Sequence, residues 1–359
     1  VAANLWTGNV GTSTGGSIEG PANAAMLVGI RPSTGRISRY GIIPLSLDQD
    51  TAGPMTKSVA DAAIMLGVME GLPDTHDART SECTAPPNHD YTAFLKADAL
   101  KGMRIGIPRA GIYSARKFPG RARPFPGLRA DELASMEDAI AALKQAGAEV
   151  IDPVELPSMI AANAAANLTS HNICEAPFTG PAADDFCSHV LRYGMKRDFN
   201  LWLASLGDTP PVKTLAALRE WNAAHRDHGA IRYGQGRLDF ADSTDLARDQ
   251  ARYERDRKAD LRLTREEGLD AALTAHTLDA ILFPGSSGAN YATKAGYPII
   301  VVPFGMVTNP ADGAKGSPDQ TRPFGVSFVG AHCEDPKLVG IAYAFEQATH
   351  RRVPPAAMK

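Results

Sequence analysis

Twelve residues near the start of the chain constrain it most: Gly11-Thr12-Ser13-Thr14-Gly15-Gly16-Ser17-Ile18-Glu19-Gly20-Pro21-Ala22. Glycine admits backbone torsions closed to other residues and lets another group approach closely. Successive residues of this kind can turn their N–H groups toward one point and form an anion-binding concavity. A serine at the end of such a run sits beside donors suited to the oxyanion of acyl transfer. Two other motifs fit less well. Gly11 and Gly16 have the spacing of a phosphate-binding loop, but Ser17 stands where that loop needs lysine. A G-x-S-x-G nucleophile elbow fails because Glu19 fills the last glycine position. Taken alone, the stretch reads as a glycine-rich surface turn.

The residues that follow change this reading. Val28-Gly29-Ile30-Arg31-Pro32-Ser33-Thr34-Gly35-Arg36-Ile37-Ser38-Arg39-Tyr40-Gly41 and Asp48-Gln49-Asp50-Thr51-Ala52-Gly53-Pro54-Met55-Thr56 run on in order. Together with Gly11–Ala22 they resemble the amidase signature family, whose nucleophile pattern is close to G-T-[DE]-T-G-G-S-I-R-x-P-A. The segments Ser46 to Met55 and Lys196-Arg197-Asp198-Phe199-Asn200 most resemble its peptide-amidase branch.

The resemblance implies a fold: one α/β domain over residues 1–359, with a mixed twisted β-sheet sandwiched between α-helices. Residues 155–275 would form a mostly helical, substrate-side region within it. The implied activity is carboxamide hydrolysis through an acyl-enzyme on Ser17, on peptide amides or on aryl and alkyl amides. The backbone N–H groups of Thr14, Gly15, Gly16 and Ser17 would form the oxyanion hole, and Thr12 would support a relay serine. That relay, a Ser–cis-Ser–Lys triad, is needed because a serine hydroxyl is a weak nucleophile until a base activates it. No metal or cofactor is implied. The family places its lysine and cis-serine ahead of this stretch, and Val1-Ala2-Ala3-Asn4-Leu5 does not read as a translation start. We therefore expect an upstream segment of the same protein, continuous or cleaved. The same motif serves amidotransferase subunits that supply ammonia to a partner, which is the alternative activity. A non-catalytic fragment or binding protein on this fold is a third reading.

Two departures fall inside the motif. Ser13 stands where the family has an acid or amide, and is expected to loosen the hydrogen bonding of the loop. Glu19 stands where the family has arginine. If it faces the pocket, it would repel a substrate carboxylate and act as a specificity filter. The competing reading pairs it with Arg31, Arg36 or Arg39.

Composition narrows the class. With 359 residues, 44% hydrophobic and 21% charged, the chain has a globular balance. A net charge of −3 gives no reason to expect nucleic acid or an anionic membrane as partner. No apolar run approaches the ~20 residues of a membrane-spanning helix. Cysteines 83, 174, 187 and 333 show no tight pairing pattern. A reducing, cytoplasmic setting is the default, with one disulfide, secretion and a homodimer left open.

Periodicity supplies the elements. Ser58 caps a helix over 59–69, and Gly71 is expected to end it as C′. A β–α–β unit follows: a strand at 103–107, an apolar stripe of Leu133, Met136, Ile140 and Leu143 ended by Gly147, and a strand at 148–151. Phe199, Trp202, Leu203 and Leu206 form one stripe, and Leu215, Leu218 and Trp221 another. Residues 243–268 read as a solvated charged helix. Strands are expected near 279–284, 295–305 and 323–330, then a helix over 337–349.

Weaker motifs are set aside. Ser114-Ala115-Arg116-Lys117 matches S-x-x-K without its partner motifs. His171-x-x-Cys174 and Cys187-x-His189 could be drawn as a zinc site, but the second pair is spaced too closely. His225-Arg226-Asp227-His228 reads as a solvated helix face.

Overall fold

Short runs rich in apolar residues, such as Ala280–Pro284 and Ile299–Thr308, build one eight-stranded sheet. The computed structural model describes residues 1–119, 124–170, 172–173, 187–309 and 321–355. The sheet runs in the order β1 (Gly8–Ser13), β3 (Thr51–Thr56), β2 (Val28–Arg31), β9 (Ile299–Thr308), β10 (Thr321–Val329), β8 (Ala280–Pro284), β4 (Arg104–Gly106), β5 (Glu149–Ile151). Pairing is antiparallel from β1 through β8 and parallel across β8, β4 and β5. This is the expected mixed α/β sheet. β8 is buried at every residue, as a strand covered on both faces should be. A separate pair joins β6 (Asn172–Ile173) to β7 (Cys187–Ser188).

Helices cover the sheet through apolar stripes. In Ala130–Gln145 the buried residues include Met136, Ile140 and Leu143, while Leu133 at the rim is exposed. Gly147 follows with φ +93 and turns the chain into β5. Phe345 of the closing helix Asp335–Thr349 packs against Phe304 of β9 and Phe328 of β10, at 5.5 and 5.3 Å between ring centres. Aromatic pairs at such separations add to the burial of their area.

Several expectations need correction. Ser58 does cap Val59–Met69, its hydroxyl accepting from the Asp61 N–H at 3.1 Å. Gly71 falls at C′ as expected, but it does not take the left-handed torsion of a glycine cap: the C-cap Glu70 already leaves the helix in an extended conformation (φ −75, ψ 109). Glu70 instead uses its carboxylate, accepting from Arg36 at 2.9 Å and from the Tyr91 hydroxyl at 2.9 Å. The charged stretch 243–268 is no solvated helix throughout. Helix Gln250–Thr264 buries Asp256 and Asp260, and Lys294 donates to Asp260 at 2.5 Å. Charges hidden this deeply persist only when paired. Trp221 is half exposed and stacks on His225 at 3.9 Å, so it is a surface residue and not core.

The cysteines also depart from the reduced default. Cys83 is bonded to Cys333, 250 residues away. Cys187 is disulfide-bonded as well, and no free cysteine occurs among the described residues. Disulfides persist mainly in oxidising compartments. No helix of the described residues is long and apolar enough to cross a membrane.

Candidate active site

Ser17 sits where β1 hands over to the short helix Glu19–Ala24. β1 is an edge strand, paired with β3 so that Thr12 opposes Ala52 and Ser13 opposes Thr51. Gly53 in β3 is obligatory there, because a Cβ would lie 2.0 Å from the Ile30 carbonyl oxygen of β2. After Ser13 the chain makes a tight turn in which Gly16 takes φ +115, a torsion that penalises any side chain. The turn delivers Ser17 to the surface: Thr12, Gly15 and Ser17 are exposed, whereas Ser13 and Glu19 are fully buried. Among the described residues the Ser17 hydroxyl makes no hydrogen bond.

The two departures from the family pattern turn out to be one interaction. The Ser13 hydroxyl donates to Glu19 Oε2 at 2.8 Å. Its lone pairs accept from the N–H groups of Gly16 and Ser17, each at 3.1 Å. The Ile18 N–H also reaches Glu19 Oε2, at 3.2 Å. Ser13 therefore tightens the loop, contrary to the expectation that it would loosen it. Two of the four amides expected in the oxyanion hole, those of Gly16 and Ser17, are engaged on the inner side of the loop.

Glu19 is likewise not a pocket residue. Its carboxylate points inward, and Oε1 lies 4.0 Å from Arg31 Nε, both side chains being 0% exposed. The electrostatic filter against substrate carboxylates is thus withdrawn in favour of the Arg31 pairing. Arg31 donates to the carbonyl of Tyr297 at 2.9 Å and that of Gln49 at 2.8 Å. Burial lowers its pKa to about 10, an effect that the Glu19 charge opposes.

A second set of contacts grips Thr14. Gln49 Nε2 donates to the Thr14 carbonyl at 3.1 Å, and the Thr14 hydroxyl donates to Asp50 Oδ1. Asp50 also accepts from the N–H groups of Leu45 (2.9 Å) and Ser46 (2.8 Å). Burial nevertheless pushes its carboxyl up to about 6 against these hydrogen bonds. One step further out, Asp198 accepts from the Leu47 N–H at 2.8 Å, and Arg197 donates to Asp48 at 3.1 Å. The two segments with peptide-amidase wording, Ser46 to Met55 and Lys196 to Asn200, therefore meet in space, and the first of them holds the Ser17 loop. Sequence reasoning assigns no role to Gln49 or Asp50. A run of three polar residues, 48–50, directly before a buried strand was the available signal.

The remaining motifs do not converge on Ser17. Ser114 donates to the Arg109 carbonyl at 3.0 Å on the surface. His171 and Cys174 lie outside the described residues, and the bonded Cys187 has no thiolate to offer zinc. Among the described residues, Cys83, His332 and Cys333 are close enough to share a metal, but their two sulfurs are joined to each other. A surface cavity lined by Lys57, Ser58, Glu346, His350 and Arg351 shares no residue with the Ser17 loop.

The sheet order, the Gly-Gly-Ser turn and the supporting segments together define a class, and comparison with known proteins agrees. The amidase family model matches residues 1–339. The chain belongs to the amidase signature family. It is similar to the native peptide amidase of Stenotrophomonas maltophilia, at 35% identity and a TM-score of 0.76, covering 99% of this chain and 65% of that one. A putative amidase of Arthroderma benhamiae is 31% identical, over 96% of this chain and 54% of its own length. A glutamyl-tRNA(Gln) amidotransferase subunit of Syntrophobacter fumaroxidans is 30% identical, over 97% of this chain and 65% of its own length. The chain thus spans between about half and two thirds of these relatives.

Proposed function

We propose that the protein hydrolyses carboxamides through a covalent acyl-enzyme on Ser17. The observation that carries this reading is an exposed serine hydroxyl, free of hydrogen bonds among the described residues, at the end of a loop whose amides are tied down from behind. Ser17 Oγ attacks the carbonyl carbon, and the carbonyl oxygen becomes an oxyanion. The N–H groups of Thr14 and Gly15 receive that charge, with those of Gly16 and Ser17 shared between it and Ser13. Donors fixed before the reaction are effective because they need not reorganise as charge develops. Collapse expels the amine, which takes up a proton, and water then attacks the acyl ester to release the acid.

Activation of Ser17 needs a base, and the family resemblance assigns it to a lysine acting through a cis-serine. Both would come from an upstream segment of the same protein, with Thr12, exposed on the edge strand beside Ser17, supporting the relay serine. Peptide amides, or aryl and alkyl amides, are the proposed substrates; the likeness to a peptide amidase supports the first. The mostly helical 155–275 region would form the substrate side, since its Arg197 and Asp198 reach the loop that holds Thr14.

In the complete protein, Ser17→Ala should lower kcat/KM for a peptide amide by at least about 10³-fold with the fold retained. Activity within tenfold of the parent would refute the assignment. The likeness to a tRNA-dependent amidotransferase subunit supports one alternative, ammonia supply to a partner. No hydrolysis by the isolated complete protein, with activity appearing on addition of a partner, would favour it.

A further inference from the structure

The departures at positions 13 and 19 assign a role that the family pattern does not contain. We propose that Ser13 and Glu19 act as a single positioning unit, charge-balanced by Arg31, that sets the direction of the loop amides beside Ser17. This rests on Ser17 being the nucleophile.

A serine hydroxyl has one proton, and here it goes to Glu19 Oε2 at 2.8 Å. Both lone pairs are thereby left to face the Gly16 and Ser17 N–H groups at 3.1 Å. A carboxylate at position 13 has no proton to give. Next to Glu19 it would set two negative charges at hydrogen-bonding distance in a fully buried site, where like charges repel strongly. An arginine at position 19 would in turn face the buried Arg31. In this chain the residue types at 13 and 19 are therefore complementary: the hydroxyl donates the one proton that the carboxylate accepts. Ser13 is the last residue of β1 and Glu19 the first of the following helix, so their hydrogen bond closes the turn that carries Ser17. Glu19 Oε1 and Arg31 Nε have no hydrogen-bond partner although both are buried. At this end the two side chains meet as a 4.0 Å ion pair, while Glu19 Oε2 and the Arg31 Nη atoms keep their other hydrogen bonds.

The test uses the complete protein and a peptide amide substrate. Ser13→Ala keeps the Glu19–Arg31 pair but releases both amides. It should lower kcat about 10- to 100-fold, with KM within about threefold of the parent. Ser13→Thr, which keeps the hydroxyl, should stay within about threefold in kcat. Ser13→Asp should be at least as damaged as Ser13→Ala. Adding Glu19→Gln to Ser13→Asp should then recover at least about tenfold in kcat, because the amide can donate to the introduced carboxylate and Arg31 regains a single counter-charge. A merely structural role predicts no such rescue. Full kcat in a folded Ser13→Ala protein, or no recovery in the double variant, would overturn the proposal. Ser17→Ala separates the two readings. If it is active, the nucleophile assignment fails; if it is inactive while Ser13→Ala is normal, only the positioning unit fails.

Discussion

Replacing Asp50 by asparagine isolates what it takes to keep a carboxylate next to the Ser17 loop. Asp50 is 7% exposed, and burial raises its pKa from 3.8 to about 6 despite three hydrogen bonds to its charged form. A raised carboxyl pKa means that the folded state binds a proton more tightly than the unfolded state. Its contribution to stability is therefore present at low pH and lost as pH rises through about 6. The full difference is about 3 kcal/mol, of which about 2 kcal/mol falls between pH 4.5 and 7.5. Asparagine keeps an oxygen for the Leu45 and Ser46 N–H groups and an N–H₂ for Thr14. Urea unfolding of parent and Asp50→Asn across that window should show the parent losing about 2 kcal/mol relative to the variant. Parallel profiles would show that Asp50 titrates near its unfolded value and that its burial carries no such penalty. Because asparagine keeps the grip on Thr14, kcat should stay within about threefold of the parent while the unfolding curves remain cooperative.

Glu346→Gln should flatten the pH dependence in the same sense. Burial lifts this carboxyl to about 7, so stability is lost as pH rises from about 4.5 to 7, and the variant's unfolding midpoint should gain on the parent's across that window and stay level above it. Arg36, with its side chain 1% exposed, donates to Asp335 (3.0 Å), Glu70 (2.9 Å), and the carbonyls of Thr84 and Cys333 (both 2.7 Å). Arg36→Ala strands two buried carboxylates and should destabilise by about 3–5 kcal/mol, lowering Tm by about 5 °C for a chain of this length; a drop under 1 °C would contradict the clamp. Cys83→Ser with Cys333→Ser opens a loop of 250 residues and should destabilise by about 2–5 kcal/mol while leaving kcat unchanged; equal urea midpoints would show that the loop is held without the bond.

Local patterns were legible wherever one residue type carries one meaning. Gly16 had to be glycine for the turn, Ser58 had to cap, and the apolar runs of β8 and β9 had to be buried, and all of these appear as read. What stayed hidden depends on distant partners. The direction of Glu19 is decided by Arg31 in the next strand, and a run around the motif cannot say whether a charge faces in or out. The burial of Asp256 and Asp260 rests on partners such as Lys294 in another helix, so a stretch that looks solvated by composition is not. Gly71 marked the helix end at C′, but nothing local showed that the Glu70 carboxylate beside it would be buried against Arg36 and Tyr91. Cysteine pairing across 250 residues leaves no local trace.

Covalent trapping bears on the role of Ser17 without an intermediate inference. The complete protein, turning over a peptide amide or an activated aryl amide, is quenched in acid at steady state, digested and mapped by mass spectrometry. The acyl mass is expected on the peptide containing Ser17, localised to that residue and absent from Ser17→Ala. An acyl group on another residue, or the same adduct in Ser17→Ala, would contradict the assignment.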